Sequence, residues 1–73
     1  MKETDTGYEI NTYNYGVLHF VIGREYSAVG TCGMTKDIEV KGRLRKSRFF
    51  NVLEIIDDTG RICSINERTL SYL

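Results

Sequence analysis

Five basic residues crowd into one short stretch in the middle of the chain. Positions 41–48 hold half of the ten lysines and arginines, and no Asp or Glu lies among them. On a strand, side chains at every second position share one face and lie about 7 Å apart, a distance comparable to the spacing of phosphates along a nucleic acid. The stretch is therefore a candidate surface for an anionic partner, formed by Lys41, Arg43, Arg45, Lys46 and Arg48.

Three interpretations of these basic residues stay open. They could be solvated side chains that keep an exposed hairpin from pairing with other sheets. They could contact an acidic protein, or the phosphates of a nucleic acid, with Phe49 or an N-terminal tyrosine stacking on a base. Ten basic and ten acidic residues give a net charge of zero, which does not indicate a globally basic nucleic-acid binder.

We therefore expect a small interaction protein that binds and modulates a host or viral protein. A nucleic acid that uses the same basic face is the alternative partner. Tyr13 and Tyr15 are candidate aromatic anchors beside the charged contacts. A homodimer that pairs through an exposed edge strand is a further alternative.

The residues that could support catalysis do not form a catalytic set. His19 is the only histidine and lies within an apolar strand pattern. Asp57 and Asp58 are adjacent, so on a strand their carboxylates would point to opposite faces. Cys32 has no neighbouring histidine to lower the pKa of its thiol. His19, Cys32 and Cys63 lack the spacing of metal ligands, so we expect no enzyme activity, no metal and no cofactor.

The two cysteines and the apolar segments suggest a compartment. The N-terminus is polar and acidic, unlike a secretory signal. The longest apolar run, residues 17–22, is interrupted by His19 and is too short to cross a bilayer. We expect a reduced, cytoplasmic protein without membrane contact, and a disulfide between Cys32 and Cys63 is the less favoured alternative.

The C-terminal half carries the clearest structural signals. Val40 and Leu44 alternate with charged residues, which is typical of a strand with one buried face, and Gly42 on the apolar side indicates a bend or bulge. Residues 49–56 are rich in aromatic and β-branched types and predict the most buried strand. Residues 57–61 predict a tight turn, since Asp and Gly favour its backbone angles.

Residues 62–65 then predict a short returning strand. Residues 66–70 predict one helical or 3₁₀ turn, with Leu70 entering the core. This series resembles the C-terminal third of Src-homology-3-type small barrels, in which an acidic turn with Gly precedes the fourth strand and a 3₁₀ turn follows.

The Gly-basic segment at residues 22–26 extends that resemblance to small Src-homology-3-like proteins encoded by bacteriophages and prophages. The resemblance covers residues 22–73 and implies a small barrel with an interaction role. The chain has no Trp and no acidic-aromatic run after its first strand, so the family's polyproline-binding site is not carried over.

The N-terminal half predicts further strands. Residues 8–15 hold three tyrosines and form either a first strand or an arm across the barrel. Residues 17–22 and 24–29 predict strands, and the glycine-rich residues 30–36 predict a loop. Residues 1–7 are polar and are expected to fray.

No stripe of apolar residues follows a helical period. We therefore predict that residues 1–73 form a single all-β domain. Its architecture would be a small Src-homology-3-like barrel of about five strands with a short 3₁₀ turn near the C-terminus.

Overall fold

Strands account for most of the chain in the computed structural model, which describes every residue from Met1 to Leu73. A 3₁₀ turn, Glu67–Thr69, is the one helical element. This architecture confirms the all-β prediction. The strands are β1 Lys2–Glu3, β2 Gly7–Thr12, β3 Gly16–Val21, β4 Glu25–Cys32, β5 Thr35–Lys46, β6 Leu53–Ile56, β7 Ile62–Ile65 and β8 Ser71–Tyr72.

Four strands close into a small barrel. They follow the order β5, β6, β7, β4, and β4 also pairs with β5, which closes the barrel. Strand β8 is an additional strand that pairs with the start of β4. All of these pairs are antiparallel. Val40, Leu44 and Ile55 point into the core and are nearly fully buried, because alternate residues of each strand face inward. The predicted alternation of β5 is confirmed.

Strands β1, β2 and β3 form a separate antiparallel sheet, called the meander here, that covers the barrel. Its inward side chains, including Ile10 and Phe20, belong to the same hydrophobic core as the barrel residues. Residues 8–15 are therefore not a loose arm, since β2 is the central strand of this sheet. The first seven residues, expected to fray, include β1, which pairs with β2.

The C-terminal turn closes the barrel as the sequence predicts. Asn66 caps the 3₁₀ turn, because its side-chain oxygen accepts a hydrogen bond from the backbone N–H of Arg68 at 3.1 Å. Leu70 follows directly and is only 1% exposed. The apolar plug of the predicted barrel is thus in place.

Two predicted boundaries were wrong. Strand β6 begins at Leu53, so residues 49–52 belong to a loop rather than to a buried strand. Residues 30–36 are not a loop, because β4 continues to Cys32 and β5 begins at Thr35 after a two-residue turn. Gly30 lies within β4, and the position requires glycine because a Cβ there would lie 2.5 Å from the carbonyl oxygen of Ser64. The glycine at position 30 therefore reflects the close approach of two strands and does not indicate a loop.

The prediction of reduced cysteines was also wrong. Cys32 and Cys63 form a disulfide with their Cα atoms 4.4 Å apart. Gly30 pairs with Ile65 and Thr31 with Ser64, so the cysteines form the next facing pair of β4 and β7. Closure of the barrel brings the two cysteines together, although they are 31 residues apart in sequence. Both cysteines are buried, at 4% and 0% exposure.

One carboxylate builds the turn between β6 and β7. Asp57 Oδ1 accepts hydrogen bonds from the hydroxyl and backbone N–H of Thr59, at 2.7 and 3.0 Å, and from the backbone N–H of Arg61 at 2.9 Å. Gly60 adopts a φ of 86°, which glycine tolerates. The predicted turn is confirmed. These bonds, led by that of the Thr59 hydroxyl, hold the pKa of Asp57 below its ordinary value of 3.8.

An Asp57→Asn variant is expected to lose part of the acid dependence of stability. The lowered folded-state pKa means that the carboxylate stabilises the fold above the unfolded-state value near 3.8, and that this contribution disappears as pH falls through the folded-state pKa. Thermal midpoints measured from about pH 6 to about pH 2 should therefore fall less steeply below about pH 4 in the variant. Asp58→Asn is the control, since Asp58 is exposed. Equal slopes in the parent and the Asp57 variant would contradict the assignment.

Candidate binding surface

The loop that joins β5 to β6, residues 47–52, is the aromatic loop of this protein. Ser47 is buried at its base, and its Oγ accepts hydrogen bonds from the backbone N–H groups of Phe49 and Phe50, both at 3.3 Å. The Ser47 N–H donates to the carbonyl of Val52 at 3.0 Å. Such a serine turn gives the backbone a defined shape. These hydrogen bonds connect the two ends of the loop and its backbone, while its tip faces water.

The two phenylalanines of the aromatic loop point away from the core. Phe49 is 86% exposed and Phe50 is 70% exposed. Adjacent aromatic side chains exposed on a small protein are unusual, and contiguous apolar surface of this kind often marks a binding site. The composition of residues 49–56 predicts that both phenylalanines lie in a buried strand, because their types favour strands; that prediction is wrong for these two residues.

Three of the five basic candidates have acidic neighbours. Lys41 Nζ lies 3.7 Å from Glu39 Oε1. Arg45 Nε donates to Glu54 Oε1 at 3.0 Å, across the β5–β6 pair. Arg43 faces Glu25 across the β4–β5 pair. The outer face of β5 therefore carries alternating signs rather than one continuous positive stripe, which weakens its field.

The other two basic candidates have no acidic partner, and one directly precedes the aromatic loop while the other lies within it. Lys46 and Arg48 are exposed, and no carboxylate lies within 4.0 Å of either side chain. Together with Phe49 and Phe50 they form a surface that we call the loop surface. Arginine and phenylalanine are enriched at the centres of protein interfaces. The loop surface thus offers apolar area and free positive charge at one place.

The tyrosine candidates lie elsewhere. Tyr13 and Tyr15 belong to the turn between β2 and β3, and both are more than half exposed. The Arg68 guanidinium lies 5.0 Å from the centre of the Tyr13 ring, and the Tyr13 N–H donates to the Arg68 carbonyl. These contacts tie the turn to the 3₁₀ turn. No hydrogen bond or ring contact joins either tyrosine to the loop surface, so the structure does not unite the predicted residues into one site.

Comparisons of the chain with protein-family models, with curated proteins and with solved structures found no match. No helix of the structure is long and apolar enough to cross a bilayer. The candidate site is therefore defined by its own geometry, which combines the two exposed phenylalanines with the two unpartnered cations.

Proposed function

We propose that this chain is a small, non-enzymatic interaction module that binds an acidic protein through its loop surface. The observation that carries the proposal is the exposure of Phe49 and Phe50 beside Lys46 and Arg48. Burial of two phenylalanine side chains contributes about 1.5–3 kcal/mol each. The neighbouring cations favour a partner whose apolar pocket has an acidic rim, and they speed its association.

The partner in this proposal is a host or viral protein, and the chain is of the bacteriophage or prophage type. The Src-homology-3-like assignment and that origin rest on the resemblance alone. The closed barrel, the acidic turn at Asp57 and the plug at Leu70 support the likeness of fold. The assignment gives no partner by itself, because small barrels host many functions.

A nucleic acid is the second candidate partner. The observation that favours it is again the exposed phenylalanine pair, since aromatic side chains stack on bases of any sequence. The acidic partners of Lys41 and Arg45 act against it. They would repel phosphates along the same face, whereas a protein partner could pair with both signs.

The compartment in this proposal is the cytoplasm. Cytoplasmic thiols reduce accessible disulfides, and exchange requires a thiolate to reach a sulfur atom. Cys32 and Cys63 are both nearly fully buried, so the folded chain shields its bridge from this reaction. Alkylation of free thiols at the moment of lysis, followed by mass spectrometry, measures the fraction of molecules that carry the disulfide in the cell.

Affinity capture from a bacterial lysate tests the proposal. Tagged parent protein is compared with Phe49→Ser/Phe50→Ser and with Lys46→Ser/Arg48→Ser, each with and without nuclease. Lys2→Ser/Lys36→Ser is the control, since it removes two exposed cations far along the chain from the loop. We expect one stoichiometric protein that survives nuclease and is retained by the control but not by either loop variant.

Binding measurements with the identified, purified partner then give the loss of affinity in each variant. We expect the phenylalanine variant to bind more than about thirtyfold more weakly, which corresponds to a central contact worth about 2 kcal/mol. Loss of the captured material on nuclease treatment, together with a steep loss of affinity in added salt, would favour the nucleic-acid alternative. Unchanged capture by both loop variants would show that the loop surface is only solvated.

A further inference from the structure

A cleft of about 720 Å³ lies between the meander and the barrel, away from the aromatic loop. Its walls come from the end of β3, the turn after it, the start of β4, the middle of β5 and the C-terminal residues around β8. The volume falls within the range of sites that hold small molecules, about 300–1,000 Å³. None of the loop-surface residues lines this cleft.

Two arginines that form no ion pair line the cleft. Arg24 and Arg43 both line it, both are exposed, and neither has a carboxylate within 4.0 Å. Glu25 is the one Asp or Glu of the lining, and it faces Arg43 across the strand pair without forming an ion pair. A planar guanidinium binds a carboxylate or phosphate through two parallel hydrogen bonds. Each of these guanidinium groups is therefore suited to an oxyanion.

Two aromatic residues line the same cleft as the two arginines. Tyr26 and Tyr72 line the cleft and pack on Phe20, with ring centres 5.0 Å (Phe20–Tyr26) and 5.4 Å (Phe20–Tyr72) apart. These contacts hold both rings in place, and Tyr72 remains 54% exposed.

The Tyr26 hydroxyl supplies an unused donor. It accepts a hydrogen bond from the backbone N–H of Val21 at 2.9 Å, and its own proton has no acceptor in the protein. The residue is only 6% exposed. Buried polar groups normally form hydrogen bonds, so a ligand oxygen in the cleft could accept the hydrogen bond that this hydroxyl can still donate. The Tyr72 hydroxyl, in contrast, already donates to the carbonyl of His19 at 2.9 Å.

We propose that this cleft binds a small molecule that carries a phosphate or carboxylate group on a planar ring. Arg24 and Arg43 hold the oxyanion, the Tyr26 hydroxyl donates to it, and the ring packs against Tyr72. The site goes beyond the proposed docking of a protein on the loop surface and uses other residues. Either proposal can fail without the other.

Titrations of the labelled full chain, followed by ¹H–¹⁵N spectra, test the site. Phenyl phosphate and benzoate distinguish the two oxyanions, while inorganic phosphate and benzyl alcohol present the charge and the ring separately. We expect saturable shifts at cleft residues with phenyl phosphate or benzoate, with a dissociation constant of about 1 mM or below, and weaker binding of the separate parts. Arg24→Gln and Arg43→Gln should each weaken binding about ten- to a hundredfold.

Lys36→Gln is the matched control, because it removes one exposed cation that does not line the cleft. It should bind like the parent, and equal thermal midpoints should show that all three variants are folded. Equal weakening by the Lys36 variant would reduce the effect to general charge and overturn the proposal. The absence of saturable shifts in the millimolar range, or binding of benzyl alcohol as tight as that of phenyl phosphate, would also overturn it.

Discussion

Reduction of the Cys32–Cys63 disulfide should lower the free energy of unfolding by about 3–4 kcal/mol. The bridge closes a loop with a sequence separation of 31 residues and so restricts the unfolded chain. A domain of 73 residues has a total stability of about 4–11 kcal/mol. The bridge therefore supplies a large share of it. The thermal midpoint should fall by roughly 10–30 °C.

Urea denaturation with and without a reductant measures this effect. Cys32→Ala/Cys63→Ala is the matched variant, and its midpoint should not respond to the reductant. The variant should be at least as unstable as the reduced parent, because it also loses buried sulfur atoms from the core. Equal urea midpoints for the oxidised and reduced parent would contradict the expectation.

Gly42→Ala should destabilise the fold by about 3 kcal/mol or more. A Cβ at this position would lie 2.1 Å from the carbonyl oxygen of Ile56 and 2.9 Å from Cα of Asp57, which are backbone atoms and cannot rotate away. Gly42 lies where β5 passes from pairing with β4 to pairing with β6. The added methyl group would push β6 outward and break the hydrogen bonds that close the barrel.

Lys41→Ala provides the control for this variant. Lys41 is on the same strand but faces solvent, so its truncation should change stability by no more than about 0.5 kcal/mol. Denaturant midpoints and hydrogen exchange of the β6 amides measure both variants. If Gly42→Ala retained the parent midpoint and the parent protection of β6, the close approach of the two strands would not be required.

Several elements could be predicted from residues that are close together in the sequence. The alternation of Val40 and Leu44 with charged neighbours predicted β5, and the Asp57 turn and the plug at Leu70 were placed correctly. Each of these features depends on residues within a few positions of one another. Backbone angles, side-chain alternation and short-range hydrogen bonds determine them before any long-range contact forms.

The loop surface shows where such reasoning stops. Phe49 and Phe50 have the composition of a buried strand, yet Ser47 folds their backbone into a turn and no partner strand covers them. The five basic residues looked like one positive stripe, but Glu54 and Glu25 come from neighbouring strands. Whether a side chain is covered, or a charge cancelled, depends on residues distant in sequence.

The all-β class, the Asp57 turn and the closing plug follow from local propensity and periodicity, and so they can be predicted from the sequence. Long-range packing brings Cys32 to Cys63, places the meander over the barrel and leaves a cleft between them. Those features arise when strands far apart in the chain pair in one register. The register is fixed by burial of the shared core, which no local segment specifies alone.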